Sequence, residues 1–270
     1  MQAKRDRWVY IVLITMLLAL IGFSGLPLVS SILQENQLIG QTSPRITQDQ
    51  QIQLEAEAKG YQKVLEREPN NQTALKGLLN IKIQQQDLQG AIVFLEKLAQ
   101  LNPKQPEYSI LLAQAKQQTE DFEGAAAAYN QILKQDVGNI QALSGIIALY
   151  LFQDLPQRAI ALLQDTLKQA QPNQTASENK IDIASVKLLL GEVYSQTERY
   201  SDATQIYEEV IAANPEDFRP VLAKALILTK QGENPQAKTW LERALSLAPA
   251  QFKDQISQLI DNLVIKPVEP

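Results

Sequence analysis

The chain contains neither cysteine nor histidine. Without cysteine there is no disulfide framework, no thiolate zinc site and no thiol nucleophile, although cysteine-free chains fold in any redox compartment. Without histidine the usual general base, the commonest transition-metal ligand and any Ser-His-Asp triad are gone. Neither GxxxxGK[ST] nor GxGxxG occurs, so no glycine loop is set to cradle a phosphate. Aromatic residues are scarce at 6%, and Leu, Ile and Ala dominate an apolar fraction of 45%. That mix favours helices over sheets. The 13 prolines recur at intervals, which suggests punctuated helices. Together these absences point away from catalysis and cofactors: no enzyme, no cofactor, no metal and no small-molecule substrate is expected.

The net charge of −5 is unevenly distributed. Residues 1–33 hold Lys4, Arg5 and Arg7 against Asp6, a balance of +2, so the remainder carries −7. An acidic body lacks the basic face that nucleic acid needs, and no nucleic-acid partner is expected.

No residue from 8 to 33 is charged. That run exceeds the roughly 20 residues a helix needs to cross the hydrocarbon core. Trp8 and Tyr10 stand at its start, where amphipathic rings favour the interface, and Pro27 ends or kinks it. The alternative is a cleaved signal peptide, but the run is long for one and only Val29-Ser30-Ser31, a poor match, offers a cleavage site. The segment is expected to be a retained anchor, making this a single-pass membrane protein. Lys4, Arg5 and Arg7 would stay cytoplasmic. The body would then be periplasmic or lumenal, with a cytoplasmic or stromal body as the alternative.

Beyond the anchor the sequence repeats itself every 34 residues. Pro69 and Pro103 are separated by that step, as are Pro215 and Pro249. Ala91, Ala125 and Ala159 keep it, and Ala203 and Ala237 resume it after an insertion of ten. Four residues after each Ala stands Leu95, Tyr129, Leu163, Tyr207 or Leu241, with Tyr61 one step earlier. Upstream in each period stand Leu78-Leu79, Leu112-Ala113, Ile146-Ile147 and Leu190-Gly191. Small residues allow two helices to approach closely, large ones fill the gap between successive pairs, and proline stops the second helix. A period of this length means stacked helical hairpins.

These residues resemble the tetratricopeptide-repeat family. The resemblance implies an all-α fold, a right-handed α-solenoid of helix hairpins, here preceded by one N-terminal transmembrane helix. The expected organisation is a basic tail over 1–7, the anchor over 8–33, a polar linker over 34–46 and the repeat body over 47–270. Within the body a leading helix covers 47–68. Repeats cover 72–105, 106–139, 140–173, 184–217 and 218–251, and a capping helix covers 251–264, with Phe252, Ile256, Leu259, Ile260 and Leu263 on one face. Val137 in place of Pro, Lys224 at a usually apolar site and the insertion near 172–182 depart from the pattern. Asn71-Gln72-Thr73 and Asn173-Gln174-Thr175 fit glycosylation sequons but read as turn composition. Asp217-Phe218-Arg219-Pro220, the Ala-rich stretch after it and the insertion are similar to slow-green-type chloroplast and cyanobacterial repeat proteins. That likeness implies a photosynthetic, thylakoid-type membrane setting.

In such a stack the first helix of each pair lines the inner face. By register, candidate partner-binding residues there are Lys76, Asn80, Gln84, Gln114, Gln117, Gln118, Gln141, Glu192 and Arg219, with Ser144, Gln196 and Lys230 beside them. Lys76 and Asn80 match half of the carboxylate clamp of chaperone-binding members, but Leu111, Gln141 and Gly145 stand where the other half would be. A strip rich in Gln suits extended peptides or helical segments through amide hydrogen bonds. The acidic pairs Glu120-Asp121, Glu208-Glu209 and Glu216-Asp217 read as solvated faces or caps, since adjacent helical residues point apart. The function expected is a non-enzymatic, membrane-anchored scaffold that binds proteins and assists assembly of membrane protein complexes. The alternative is a periplasmic or lumenal co-chaperone in envelope or cytochrome biogenesis.

Overall fold

The computed structural model describes residues 47–170 and 181–265. The basic tail, the expected anchor, the linker, residues 171–180 of the insertion and residues 266–270 lie outside the described residues. Among the described residues there are α-helices and no strands. We number the helices α1 (Gln48–Arg67), α2 (Gln72–Gln84), α3 (Leu88–Leu101), α4 (Pro106–Gln118), α5 (Phe122–Leu133), α6 (Ile140–Phe152), α7 (Pro156–Gln169), α8 (Ile183–Gln196), α9 (Tyr200–Ala213), α10 (Phe218–Lys230), α11 (Asn234–Leu247) and α12 (Ala250–Ile265). None of them is long and apolar enough to cross a membrane. The chain divides into two compact units, one closing at Leu149 and one opening at Tyr150, and each is described by itself.

The turn inside each helix pair is built alike. The amide at its end donates five residues back, from Asp87 to Lys82, Asp121 to Lys116, Leu155 to Tyr150, Arg199 to Tyr194 and Glu233 to Leu228. The residue before it is left-handed: Gln86, Glu120, Asp154, Glu198 and Gly232 have φ between 58° and 79°. This is the Schellman ending, which satisfies orphan carbonyls at a helix C-terminus. In the N-terminal unit the last turn residue also starts the next helix. Asp87 accepts from the Gly90 amide and Asp121 from the Gly124 amide, at 2.8 and 2.9 Å. Lys82 and Lys116, both on the preceding helices, close on the same carboxylates at 2.7 and 3.1 Å. Between pairs, Asn71 caps α2 through the Ala74 amide and Asn139 caps α6 through the Ala142 amide. The Asn71 side-chain nitrogen also donates to Glu68.

The core follows from the small residues. Ala91 and Ala125 in the N-terminal unit, and Ala159, Ala203 and Ala237 in the C-terminal unit, are almost wholly buried where second helices meet their neighbours. Ala127, two positions after Ala125, faces solvent. Replacing Ala125 with Leu should therefore destabilise the chain by about 1–3 kcal/mol through overpacking, while Ala127→Leu should stay within about 0.5 kcal/mol. Urea unfolding of the two variants checks this, and equal costs would put the helix face elsewhere.

A second rule pairs large with small. In the N-terminal unit the ring of Tyr61 lies on Gly77 and the ring of Tyr129 on Gly145, so a Cβ at either glycine would overlap the ring. Both glycines sit on the next first helix, sixteen residues after their tyrosine. Where the second helix carries Leu95 instead, the position sixteen on is Leu111. In the C-terminal unit Tyr207 lies against Gly191 of its own pair, again where no Cβ fits. At these three places helix approach is set by the tyrosine–glycine match, because a packed interior tolerates neither overlap nor void.

Each unit closes its exposed end differently. In α1 no residue is fully buried, and Glu57 faces solvent at the position equivalent to the buried alanines. At the other end Phe252, Leu259, Ile260 and Leu263 pack with buried Ile256 against α10 and α11. Phe252 stacks on Phe218 with ring centres 5.2 Å apart. Lys224, at a usually apolar position, buries its stem: its ammonium lies 4.2 Å from the centre of the Trp240 ring and 2.6 Å from Glu208. The aliphatic chain fills the apolar role while the charge is met by a ring face and a carboxylate.

Candidate functional site

In the N-terminal unit α2 packs against α3 and α4 against α5, which buries one side of each first helix. The other side of α2 carries Lys76 and Gln84, both exposed, and half-buried Asn80. On α4 it carries exposed Gln114 and Gln118, and Gln141 stands half-buried at the start of α6. Lys76 holds its ammonium 5.8 Å from the centre of the Tyr108 ring on α4. Gln117 is partly committed, because its side-chain oxygen accepts from the Tyr129 hydroxyl at 3.3 Å. Burial pushes that hydroxyl's pKa to about 12, so it stays a donor at every physiological pH. Ile83, exposed at 44%, adds an apolar element that the sequence reading omits.

The carboxylate clamp is closed off by packing. Gly145 occupies the position where the clamp would need an arginine, and the ring of Tyr129 fills the space a side chain would require. Lys76 and Asn80 therefore stand without that half of the clamp.

In the C-terminal unit the first helices α8 and α10 touch directly. Asp182 caps α8 through the Ser185 amide and also accepts from the Ser185 hydroxyl at 2.6 Å. Asp217 caps α10 through the Arg219 amide and takes the Arg219 guanidinium at 2.8 Å. The same guanidinium donates to Ser185 Oγ at 3.1 Å. The hydrogen bonds that Arg219 donates to Asp217 hold its pKa above its ordinary value, against the opposing effect of burial. Arg219 thus ties the starts of two first helices together and is largely committed to the fold. Its partner Ser185 is not among the residues the sequence reading selects, yet it stands 34 residues earlier, at the equivalent position of the preceding repeat.

Two helical turns beyond Ser185, Glu192 stands half-buried on the same side of α8. It accepts from the Gln196 amide at 2.8 Å. Burial raises its pKa, while that hydrogen bond and the field of Lys230 on α10 pull the other way. Burial, and then the charge of Glu192, push the Tyr207 hydroxyl well above its usual value. A carboxyl whose folded pKa is raised binds its proton more tightly in the folded state, so its contribution to stability falls as pH rises from the ordinary glutamate value toward the folded one. Glu192→Gln should consequently unfold at higher urea than the parent at pH 7. The gain should fade as the pH drops through the carboxylate range, which parallel urea titrations at pH 7 and pH 4 would read.

The acidic pairs resolve into structural roles. Asp121 is a cap, and Glu208 and Glu209 reach Lys224 and Lys187 at 2.6 and 2.7 Å. Among the described residues no group of three or more carboxylates converges to hold a metal ion.

The tetratricopeptide-repeat family profile matches residues 58–115 and 185–259. "Protein SLOW GREEN 1, chloroplastic" from Arabidopsis thaliana is 22% identical over 190 residues, covering 70% of this chain and 59% of that protein. "Cellulose synthase operon protein C" from Pseudomonas fluorescens (strain SBW25) is 29% identical over 151 residues, covering 56% of this chain and 12% of that protein. The chain therefore spans less than two thirds of the length of either relative. Among solved structures, yeast Tom70 superposes with a TM-score of 0.52 at 14% identity, over 77% of this chain and 43% of that one, a likeness of fold alone. With the profile matched in both units and the hairpins built on the same small and large positions, the chain is a tetratricopeptide-repeat protein.

Proposed function

We propose that the chain is a non-enzymatic scaffold, anchored in a membrane through residues 8–33, which holds other proteins on the inner face of its stack, the side of its first helices turned away from their paired second helices, and serves the assembly of membrane protein complexes. One observation carries the reading. Asn80, Gln84, Gln114 and Gln118 place amide donors and acceptors along consecutive first helices with no hydrogen bond to the rest of the fold among the described residues. Such groups suit the backbone of an extended partner segment. The uncharged run over 8–33 supports the anchor. The likeness to a chloroplast protein supports a photosynthetic membrane. The positive charges of Lys4, Arg5 and Arg7 favour a second reading, a periplasmic or lumenal body acting as a co-chaperone. Protease accessibility in sealed vesicles separates the two.

The test of the binding strip is a variant with Lys76, Asn80, Gln114 and Gln118 all changed to Ala. These side chains are exposed or half-buried, so unfolding should shift by no more than about 1 kcal/mol. Co-purifying proteins should be lost. Retention of every partner by this variant, with loss in a variant of exposed second-helix residues, would place binding on the opposite side.

A further inference from the structure

We propose that Glu192 is a subsite for a cationic side chain, a lysine or arginine of the bound protein segment; this rests on the binding face proposed above. The geometry begins with the contact between α8 and α10. The bond from Arg219 to Ser185 fixes which sides of the two helices face each other at their N-terminal ends. Glu192 lies seven residues after Ser185, and Lys230 eleven after Arg219, two and three helical turns along the same sides. Leu188, buried in the core, precedes Glu192 by one turn, and half-buried Leu226 precedes Lys230 by one turn, on the same sides of α8 and α10.

The neighbouring acids show what is unusual. Glu208, Glu209 and Asp217 each reach a cation of this chain at 2.6–2.8 Å. Glu192 is more enclosed than Glu208 or Glu209, yet among the described residues it has no cation within the 4.0 Å of an ion pair. Its one hydrogen bond is the neutral amide of Gln196. Lys230 influences it only through its field and keeps its own side chain in solvent. A desolvated carboxylate without an ion-pair partner is costly in the free protein, and an incoming ammonium or guanidinium relieves that cost. Half-buried Leu226, one turn before Lys230, offers apolar surface to the methylene stem of such a side chain, whose charged end would meet the carboxylate. Tyr207, buried behind Glu192, and Lys230 at the rim complete the ionisable surroundings.

The test uses the full-length chain, immobilised in mild detergent, and four pools of random octapeptides that differ in one fixed central residue: lysine, arginine, norleucine or glutamate. A charge-assisted hydrogen bond should make the lysine or arginine pool bind about tenfold more tightly than the norleucine pool. Glu192→Gln, which keeps the shape and a hydrogen-bonding amide, should erase that preference without reducing helical circular dichroism. Lys230→Gln should strengthen it by removing the competing charge. Equal retention of the lysine, arginine and norleucine pools, or a preference that survives Glu192→Gln, overturns the subsite and leaves the binding face standing. Retention of no pool overturns both.

Discussion

Tyr129→Ala should destabilise the N-terminal unit by about 3–5 kcal/mol, the cost of emptying a buried aromatic site. The ring is only 2% exposed, and one of its faces rests where Gly145 has no side chain. No small rearrangement fills the void, because the backbone of α6 is already as close as a glycine permits. The reverse change, Gly145→Leu, should cost about 1–3 kcal/mol by overpacking, even though replacing a glycine inside a helix gains about 1 kcal/mol of propensity. The informative variant is the pair Tyr129→Leu with Gly145→Leu. The chain already carries that combination at the equivalent Leu95 and Leu111. The double variant should therefore cost less than the two single changes summed, with a coupling of about 1–2 kcal/mol. Urea unfolding of the four proteins in the cycle reads this. Strict additivity would mean that tyrosine and glycine are not matched to each other.

Asp217→Ala should cost the C-terminal unit about 2–4 kcal/mol, combining the loss of a helix cap with the loss of a mostly buried ion pair. Its side chain is 7% exposed and that of Arg219 27%. Among the described residues the substitution leaves the guanidinium Ser185 Oγ as its hydrogen-bond acceptor, and it removes the acceptor of the Arg219 amide. Asp217→Asn keeps that acceptor and should cost about half as much, since the cap remains and the charge does not. Equal costs for Ala and Asn would assign the whole effect to the ion pair. Negligible costs for both would show that Arg219 is free to serve the binding face.

Much of the fold is legible in the sequence because the positions that recur are those where helices cross. Ala91, Ala125, Ala159, Ala203 and Ala237 cannot be larger without overlap, so the period shows through a diffuse background. The turns are not legible in the same way. Four of the five left-handed turn residues are Gln86, Glu120, Asp154 and Glu198, and only Gly232 carries the residue type that signals such a backbone. Lys224 reads as a break in the pattern because composition does not reveal that its stem is apolar and its charge is met by Trp240 and Glu208. The meaning of Gly145 lies in a pairing sixteen residues away, which neither residue shows alone.

The site divides along similar lines. Register alone places Lys76, Asn80, Gln84, Gln114 and Gln118 on the outward side of first helices, since burial on a helix follows its period. Register also places Arg219 in that strip, but it cannot show that Asp217 and Ser185 take up its hydrogen bonds. Nor can it distinguish Glu192, with no cation at ion-pair distance among the described residues, from the paired glutamates on α9.

Photo-crosslinking in intact cells tests the central claim most directly. A benzophenone side chain placed singly at Gln114 or Gln118, on the outward side of a first helix, should yield covalent adducts with partner proteins. The same group at Val93, 60% exposed on the second helix α3, or at exposed Ala127 on α5, should yield none above background. Adducts from Val93 and Ala127 with none from Gln114 and Gln118 would contradict the account.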